Sequence, residues 1–107
     1  MVEKDEKMKI KVFGKQGCDA CKQMREKMEH RIEKWGWREK VLLDYIDMST
    51  VDGMAEGAFN DVFQVPTVIV ENEGSLIARY DGGVADSREL KERMEGLLDD
   101  STDQRVH

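Results

Sequence analysis

The sequence predicts an α/β fold with the element order βαβαββα, in which a four-stranded mixed sheet carries helices on both faces. The first observation is that segments with apolar residues at a spacing of two alternate along the chain with segments at a spacing of three to four. The second is that a helix joins the first two strands, which requires a parallel crossover. The third is a short turn between the last two strands, which is typical of an antiparallel hairpin.

The first strand and helix follow a polar start. Residues 8–13 alternate apolar and charged side chains before turning apolar, which predicts a strand. A loop with two glycines spans residues 14–17, and Gly36 is well placed to end the helix that follows. Apolar residues then share one stripe of that helix: Cys21, Met24, Met28, Ile32 and Trp35.

The second strand runs from Val41 to Met48, and residues 49–52 offer several N-caps for a second helix. The apolar stripe of this helix is expected to pack in the core, and Val65 and Pro66 end the segment. The stripe consists of Met54, Ala58, Phe59 and Val62.

The β-branched run at residues 67–70 predicts a third strand, and a turn at 72–74 leads into a fourth strand at 75–80. Asp86 or Ser87 then caps a last helix. Its inner face carries Leu90, Met94, Leu97 and Leu98. We therefore expect one domain over residues 1–98, with residues 1–7 as a frayed lead-in and residues 99–107 as a disordered polar tail.

The composition of the chain argues against nucleic acids and membranes as binding partners. The 107 residues carry 17 Lys and Arg against 23 Asp and Glu, a net charge of −6, which disfavours non-specific binding to nucleic acid or anionic lipid. The chain has no apolar run of the roughly 20 residues that a membrane span needs, and its charged start lacks the apolar stretch of a signal peptide. We expect a cytoplasmic monomer that binds neither nucleic acid nor membrane.

The cysteines Cys18 and Cys21 carry the strongest chemical signal. Cys18 lies where the first strand gives way to the first helix, and the positive end of the helix dipole favours its thiolate. Lys15 and Lys22 add positive charge that favours the thiolate further, whereas the negative charge of Asp19 opposes it. Cys21 lies one turn further on, close enough to close a small ring and to act as a resolving thiol.

The residues alone leave three interpretations of this pair. A C-x-x-C that opens a helix after a strand favours redox chemistry, which needs no bound cofactor because the electrons reside on the two sulfurs. The pair could instead be half of a metal or iron–sulfur site shared with a partner, or a purely structural pair. A closed zinc site needs four ligands, and besides the cysteines the chain offers His30 and His107.

Residues 8–98 resemble the thioredoxin/glutaredoxin superfamily. The segment 13–21, with Lys15 three residues ahead of the first cysteine, is similar to glutaredoxins, whereas Lys22 is similar to thioredoxin. Residues 63–67 resemble the cis-proline segment of thioredoxins, and residues 82–86 resemble the segment with which glutaredoxins hold glutathione.

The resemblance implies a role for each matching residue. Cys18 and Cys21 would be the catalytic pair and form the redox-active disulfide. A cis peptide bond would precede Pro66, and Val65, Pro66 and Thr67 would position the substrate. Gly82, Gly83 and Asp86 would bind glutathione in a glutaredoxin-type protein.

The implied function is thiol–disulfide exchange that reduces protein disulfides, with electrons returned by a thioredoxin-reductase-type donor or another thiol donor. One alternative is a glutathione-dependent glutaredoxin. An alternative of another class is a module that binds a metal or an iron–sulfur cluster through the C-x-x-C pair across a dimer.

The sequence departs from thioredoxins at three places near the cysteines. Val12 stands where thioredoxins carry a buried acid, so a proton relay through that group is not expected here. Gly17 replaces an aromatic residue, and Asp19 and Ala20 lie between the cysteines. Because Asp19 disfavours the thiolate, it should make the pair more reducing.

Overall fold

The computed structural model describes residues 8–106, with side chains over residues 8–98. The predicted lead-in at residues 1–7 and the terminal residue 107 lie outside the described residues. Seven elements follow the predicted order βαβαββα, which confirms the fold class: β1 Met8–Gly14, α1 Asp19–Lys34, β2 Val41–Asp47, α2 Val51–Phe59, β3 Thr67–Asn72, β4 Ser75–Asp81 and α3 Ser87–Val106.

The four strands form one mixed sheet in the order β2-β1-β3-β4. β1 pairs with β2 in parallel and with β3 in the antiparallel direction, and β3 pairs with β4 as the predicted hairpin. Because β1 and β2 are parallel and in register, Gly14 and Asp47 end side by side at one edge of the sheet. This edge is where α1 begins.

The larger part of the core lies between the sheet and two helices. One sheet face contributes Ile10, Val12, Val68 and Val70, all with no exposed surface. α1 and α3 cover this face with side chains that are equally well buried: Met28, Leu90 and Met94. Each such side chain adds roughly 1.5–3 kcal/mol through the surface it removes from water. This layer holds α1, and with it both cysteines, firmly on the sheet.

The opposite face of the sheet carries α2. Here the predicted inner stripe is wrong for Met54, Ala58 and Phe59, which are exposed, whereas Val62, just beyond α2, is buried as predicted. Met54 is 52% exposed and Phe59 is 87% exposed, whereas Gly53 and Gly57 are buried. A Cβ atom at Gly53 would overlap the backbone carbonyl of Asp47, and one at Gly57 would meet the side chain of Met48. The glycine side of α2 therefore packs inward, because it allows a closer approach than the apolar side does.

Lys11 is a buried charge on this second face. Its amine lies 3.1 Å from a carboxylate oxygen of Glu56 on α2 and 3.3 Å from one of Glu71 on β3. Burial acts to lower the pKa of Lys11, but the hydrogen bonds and charges of the two carboxylates outweigh it and hold the pKa above its ordinary value. This cluster ties α2 to the sheet beside a small apolar cluster of Phe13, Ile46, Val62 and Ile69.

The last helix is longer than its apolar stripe. The sequence interpretation ended the helix at residue 98 and expected a disordered tail, but α3 continues to Val106. The stripe marks where the helix touches the core, and a polar segment can extend a helix beyond that contact. Within the described residues, no helix has both the length and the apolar character required to cross a membrane.

Candidate active site

Cys18 is the N-cap of α1. Its sulfur accepts a hydrogen bond from the backbone N–H of Cys21 at 3.1 Å, so it takes the place of the oxygen that usually caps a helix. Gly17, with a φ of +78°, makes the turn that brings the chain into the helix. The sulfur thus lies at the helix N-terminus with one backbone N–H donating to it, which is a setting that stabilises a thiolate.

Cys18 and Cys21 are joined in a disulfide, and their Cα atoms lie 5.2 Å apart. The two sulfurs differ in access: Cys18 is half-buried, whereas Cys21 has no exposed surface. A molecule arriving from solvent can thus reach Cys18 but not Cys21.

A cavity of about 310 Å³ lies against Cys18. The three charged residues predicted to surround this cysteine, Lys15, Asp19 and Lys22, all line it. Four further residues of the wall were not singled out from the sequence: Gln16, Arg25, Tyr45 and Asp47. Three cations and two carboxylates give the wall a positive balance, although the whole chain is acidic.

Tyr45 lies close to the buried cysteine of the pair. A Cβ atom at Gly14 would overlap both the Tyr45 hydroxyl and the Cβ atom of Cys21, so the two side chains meet against this glycine. The Arg25 guanidinium lies 4.9 Å from the centre of the Tyr45 ring. Burial, and then the charge of Asp47, raises the pKa of Tyr45 despite the opposing charge of Arg25. The phenol is therefore a neutral hydrogen-bond donor at neutral pH.

Asp47 is a second carboxylate in the wall of this cavity. The backbone N–H of Ser49 donates to its carboxylate at 2.9 Å, and the Gln16 amide donates at 3.3 Å. The Ser49 hydrogen bond is the main reason that the pKa of Asp47 is lowered, and the Gln16 hydrogen bond adds to it. This carboxylate fixes the loop after β1 against the end of β2, and so supports the backbone next to Cys18.

The segment before β3 contains a cis peptide bond between Val65 and Pro66. Thr67 is buried, and its hydroxyl donates to the Gln64 carbonyl at 2.8 Å. Within residues 8–98, the backbone N–H and C=O of Val65 have no hydrogen-bond partner. This short stretch is a backbone edge that another extended chain could pair with.

The glycines after β4 lie beside this segment. Gly83, with a φ of +103°, packs so closely that a Cβ atom there would lie 2.7 Å from the Met24 methyl group and 3.4 Å from Pro66. Met24 follows Cys21 by three residues on α1. Gly82, by contrast, lies nearest the Gln64 side chain.

Asp86, also predicted to be a site residue, lines a cavity other than the one on Cys18. It immediately precedes α3, and its carboxylate accepts a hydrogen bond from the Arg88 N–H at 3.0 Å. It lines a groove between α1 and α3 rather than the cavity on Cys18. Among the residues that the structure describes, no three His, Cys, Asp or Glu side chains are grouped as metal ligands would be.

Comparison with models of protein families and with characterised protein sequences finds no match. Solved structures of thioredoxins do match. Thioredoxin 1 from Thermosipho africanus superposes with a TM-score of 0.68 at 26% identity, over 88% of this chain and 98% of that one. Thioredoxin-2 of a malaria parasite gives a TM-score of 0.71 at 19% identity, over 90% and 88%. Thioredoxin O2 from Arabidopsis thaliana, in its oxidised state, gives a TM-score of 0.66 at 20% identity, over 84% of this chain and 74% of that one.

The matched structures have the same architecture as this chain. In addition, this chain has two cysteines in C-x-x-C spacing that form a disulfide at a helix N-terminus. Together they support thiol–disulfide oxidoreductase chemistry in general. The chain is thioredoxin-like in its fold and in its closed C-x-x-C pair.

Proposed function

We propose that this protein reduces disulfides in other proteins by dithiol exchange through Cys18 and Cys21. The observation that carries the proposal is the asymmetry of the pair, in which one sulfur is accessible at a helix N-terminus and the other has no exposed surface. A nucleophile must meet its substrate, whereas a resolving thiol needs to reach only its neighbour.

The reaction conserves electrons without a bound cofactor. The Cys18 thiolate attacks one sulfur of the substrate disulfide, that bond breaks, and the departing substrate thiolate takes a proton. Cys21 loses its proton and, as thiolate, attacks the Cys18 sulfur; the bond from Cys18 to the substrate breaks, and the departing substrate thiolate takes a proton. The substrate gains two electrons, and the protein loses two and returns to the Cys18–Cys21 disulfide seen here.

The first step depends on the Cys18 thiolate. The N–H groups at the start of α1 and the cations Lys15 and Lys22 stabilise it, while Asp19 works against it. In this proposal these three residues tune the ionisation of the nucleophile, and the positive balance of the cavity wall favours the thiolate overall.

The substrate is held by the segment before β3. The unpaired N–H and C=O of Val65 would hydrogen-bond an extended substrate strand, with Pro66 as the surface beneath it and Thr67 anchoring the segment. The close contact of Gly83 with Pro66 places the loop after β4 along the same surface. Gly82 and Gly83 would then line the substrate path, or would hold glutathione if the protein is a glutaredoxin.

Tyr45 acts in this proposal as a positioning residue for the second step. Its hydroxyl and Cys21 meet against Gly14, and donation from this hydroxyl, directly or through one water, would stabilise the Cys21 thiolate. The sequence offers no acid at residue 12, and the phenol is a polar group that the fold brings close to the resolving cysteine.

The test is the reduction of insulin disulfides, with a thioredoxin reductase or dithiothreitol as the donor. Cys18→Ser should abolish activity. Cys21→Ser should stop the reaction at a mixed disulfide that mass spectrometry detects. Ala20→Ser, which changes an exposed residue between the two cysteines, should retain activity and serves as the matched control.

Other outcomes would reject the proposal in distinct ways. Turnover of a small mixed disulfide with glutathione, without turnover by a reductase or dithiol, would assign a glutaredoxin. Visible absorbance and stoichiometric iron in the purified protein, lost together in Cys18→Ser, would assign a cluster-binding module.

A further inference from the structure

A second cavity, of about 380 Å³, lies between α1 and the start of α3; we refer to it as the α1–α3 groove. On the α1 side it is lined by Lys27, Arg31 and Trp35, which are four residues apart and so share one stripe of the helix. On the α3 side it is lined by Ser87, Arg88 and Lys91. The groove is separate from the cavity on Cys18 and has no part in the redox proposal.

The groove concentrates positive charge in an acidic protein. Four cationic side chains line it against the single carboxylate of Asp86, whereas the whole chain has a net charge of −6. Within residues 8–98, no ion pair involves any of the four cations: Lys27, Arg31, Arg88 and Lys91. Lys27 donates to the Val84 carbonyl at 2.9 Å, which holds its amine at the groove without neutralising it.

Two donors in the wall are shielded from solvent and lack an acceptor among the described residues: Nε of Arg31 and the hydroxyl of Ser87. They come from opposite sides of the groove. A favourable interaction with the negative end of the α1 dipole accounts for a cation at Arg31. It does not account for a buried Nε without a partner, because buried polar groups in folded proteins are hydrogen-bonded.

We propose that the α1–α3 groove binds the phosphate group of a small phosphate monoester. A phosphate offers three terminal oxygens and a charge near −2, so it can accept from Arg31 and Ser87 together and also balance the surplus of cations. A carboxylate offers two oxygens and a single charge. Trp35, whose ring lies 5.2 Å from that of Trp37, provides an apolar wall for the organic part of the ligand.

The test is titration with phenyl phosphate at constant ionic strength, followed by calorimetry and by tryptophan fluorescence. We expect saturable binding of one ligand per chain and a change in fluorescence from Trp35. Inorganic phosphate should compete, and it should bind more weakly if the ring contacts Trp35. Benzoate, which has the same ring but a carboxylate, should bind far more weakly.

Arg31→Gln should weaken binding about tenfold or more, because it removes a charge-assisted donor. Arg88→Gln, at an exposed residue of the groove, should also weaken it and guards against a folding defect in the first variant. Arg38→Gln is the matched control: it removes the same charge from an arginine that is 74% exposed and lies outside the groove.

Three results would overturn the proposal. One is the absence of saturable binding to the parent protein. Another is an equal loss of affinity in Arg38→Gln and Arg31→Gln, which would mean that only net charge matters. The third is benzoate binding as tightly as phenyl phosphate, which would assign a carboxylate ligand instead.

Discussion

Replacing Tyr45 with phenylalanine tests how the buried cysteine is activated. The substitution removes one hydroxyl and keeps the ring, so the packing against Arg25 and Gly14 stays in place. If the hydroxyl donates to the Cys21 thiolate, that thiolate loses a charge-assisted hydrogen bond worth roughly 1.5–3 kcal/mol. At 1.36 kcal/mol per unit, the midpoint of the Cys21 titration should rise by roughly one to two pH units.

The measurement is made in a Cys18→Ser background, where Cys21 is the remaining cysteine. Its ionisation is followed by the ultraviolet absorbance of the thiolate as the pH is raised. In the protein with both cysteines, the same substitution should slow the release of substrate from the mixed disulfide at neutral pH. It should leave the initial attack by Cys18 unchanged, because that sulfur lies at the helix N-terminus.

The chain provides its own control, since it contains just two tyrosines. Tyr80 is also partly buried, and its hydroxyl donates to Glu89 at 3.3 Å, away from the cysteine pair. Tyr80→Phe should therefore leave the Cys21 titration where it is in the parent. If Tyr45→Phe and Tyr80→Phe give the same midpoint as the parent, the Tyr45 hydroxyl has no role in activating Cys21.

Three further predictions concern stability and redox potential. Lys11→Met should lower the free energy of unfolding by about 2 kcal/mol at neutral pH, measured in urea, because it leaves Glu71 without its cation. The pKa of Lys11 is raised above the ordinary value of 10.5, so its contribution to stability is complete below that pH and is lost as the pH rises through the folded-state pKa. Because Lys11→Met lacks the amine, its stability should fall less than that of the parent over this alkaline range. Gly53→Ala should cost roughly 1–3 kcal/mol because its Cβ meets the Asp47 backbone, whereas Gly96→Ala, with open space around it, should stabilise α3 by about 0.5–1 kcal/mol. Asp19→Asn should raise the redox potential of the pair by about 10–20 mV, measured against a glutathione buffer, and an unchanged potential would mean that Asp19 does not act on the thiolate.

The order of elements could be predicted because each strand and helix has its own apolar period, and the crossover and hairpin follow from the lengths of the connections. The face of α2 could not be predicted in the same way. An apolar stripe at Met54 and Phe59 competes with a glycine stripe at Gly53 and Gly57, and periodicity measures hydrophobicity alone. The glycine side packs inward because its backbone can come closer to Asp47 and Met48 than any side chain would permit.

The site shows the same division between local and non-local information. Cys18 and its charged neighbours are adjacent along the chain, so the sequence places them together. Tyr45 is remote in sequence, and its proximity depends on the register of β2 with β1, which pairs Tyr45 with Val12. One signal was available: parallel strands end at the same edge of a sheet, so polar residues near the end of the second strand lie near the start of the first helix.

Residue 12 is a valine rather than an acid, and the neutral phenol of Tyr45 is a polar group close to Cys21. This arrangement should simplify the pH dependence of the step in which Cys21 attacks the mixed disulfide. Val12 has no exposed surface, and an ionised carboxylate there would carry a desolvation cost of several kcal/mol. Tyr45 stays protonated through the neutral range because burial raises its pKa, so it can donate to Cys21 but cannot act as its base. We therefore expect the Cys21 proton to pass to water, and the rate of resolution to follow a single ionisation. A rapid-mixing measurement on the preformed mixed disulfide should give one rising limb with pH that reaches a plateau, and a second inflection below neutral pH would reveal a protein base and contradict this expectation.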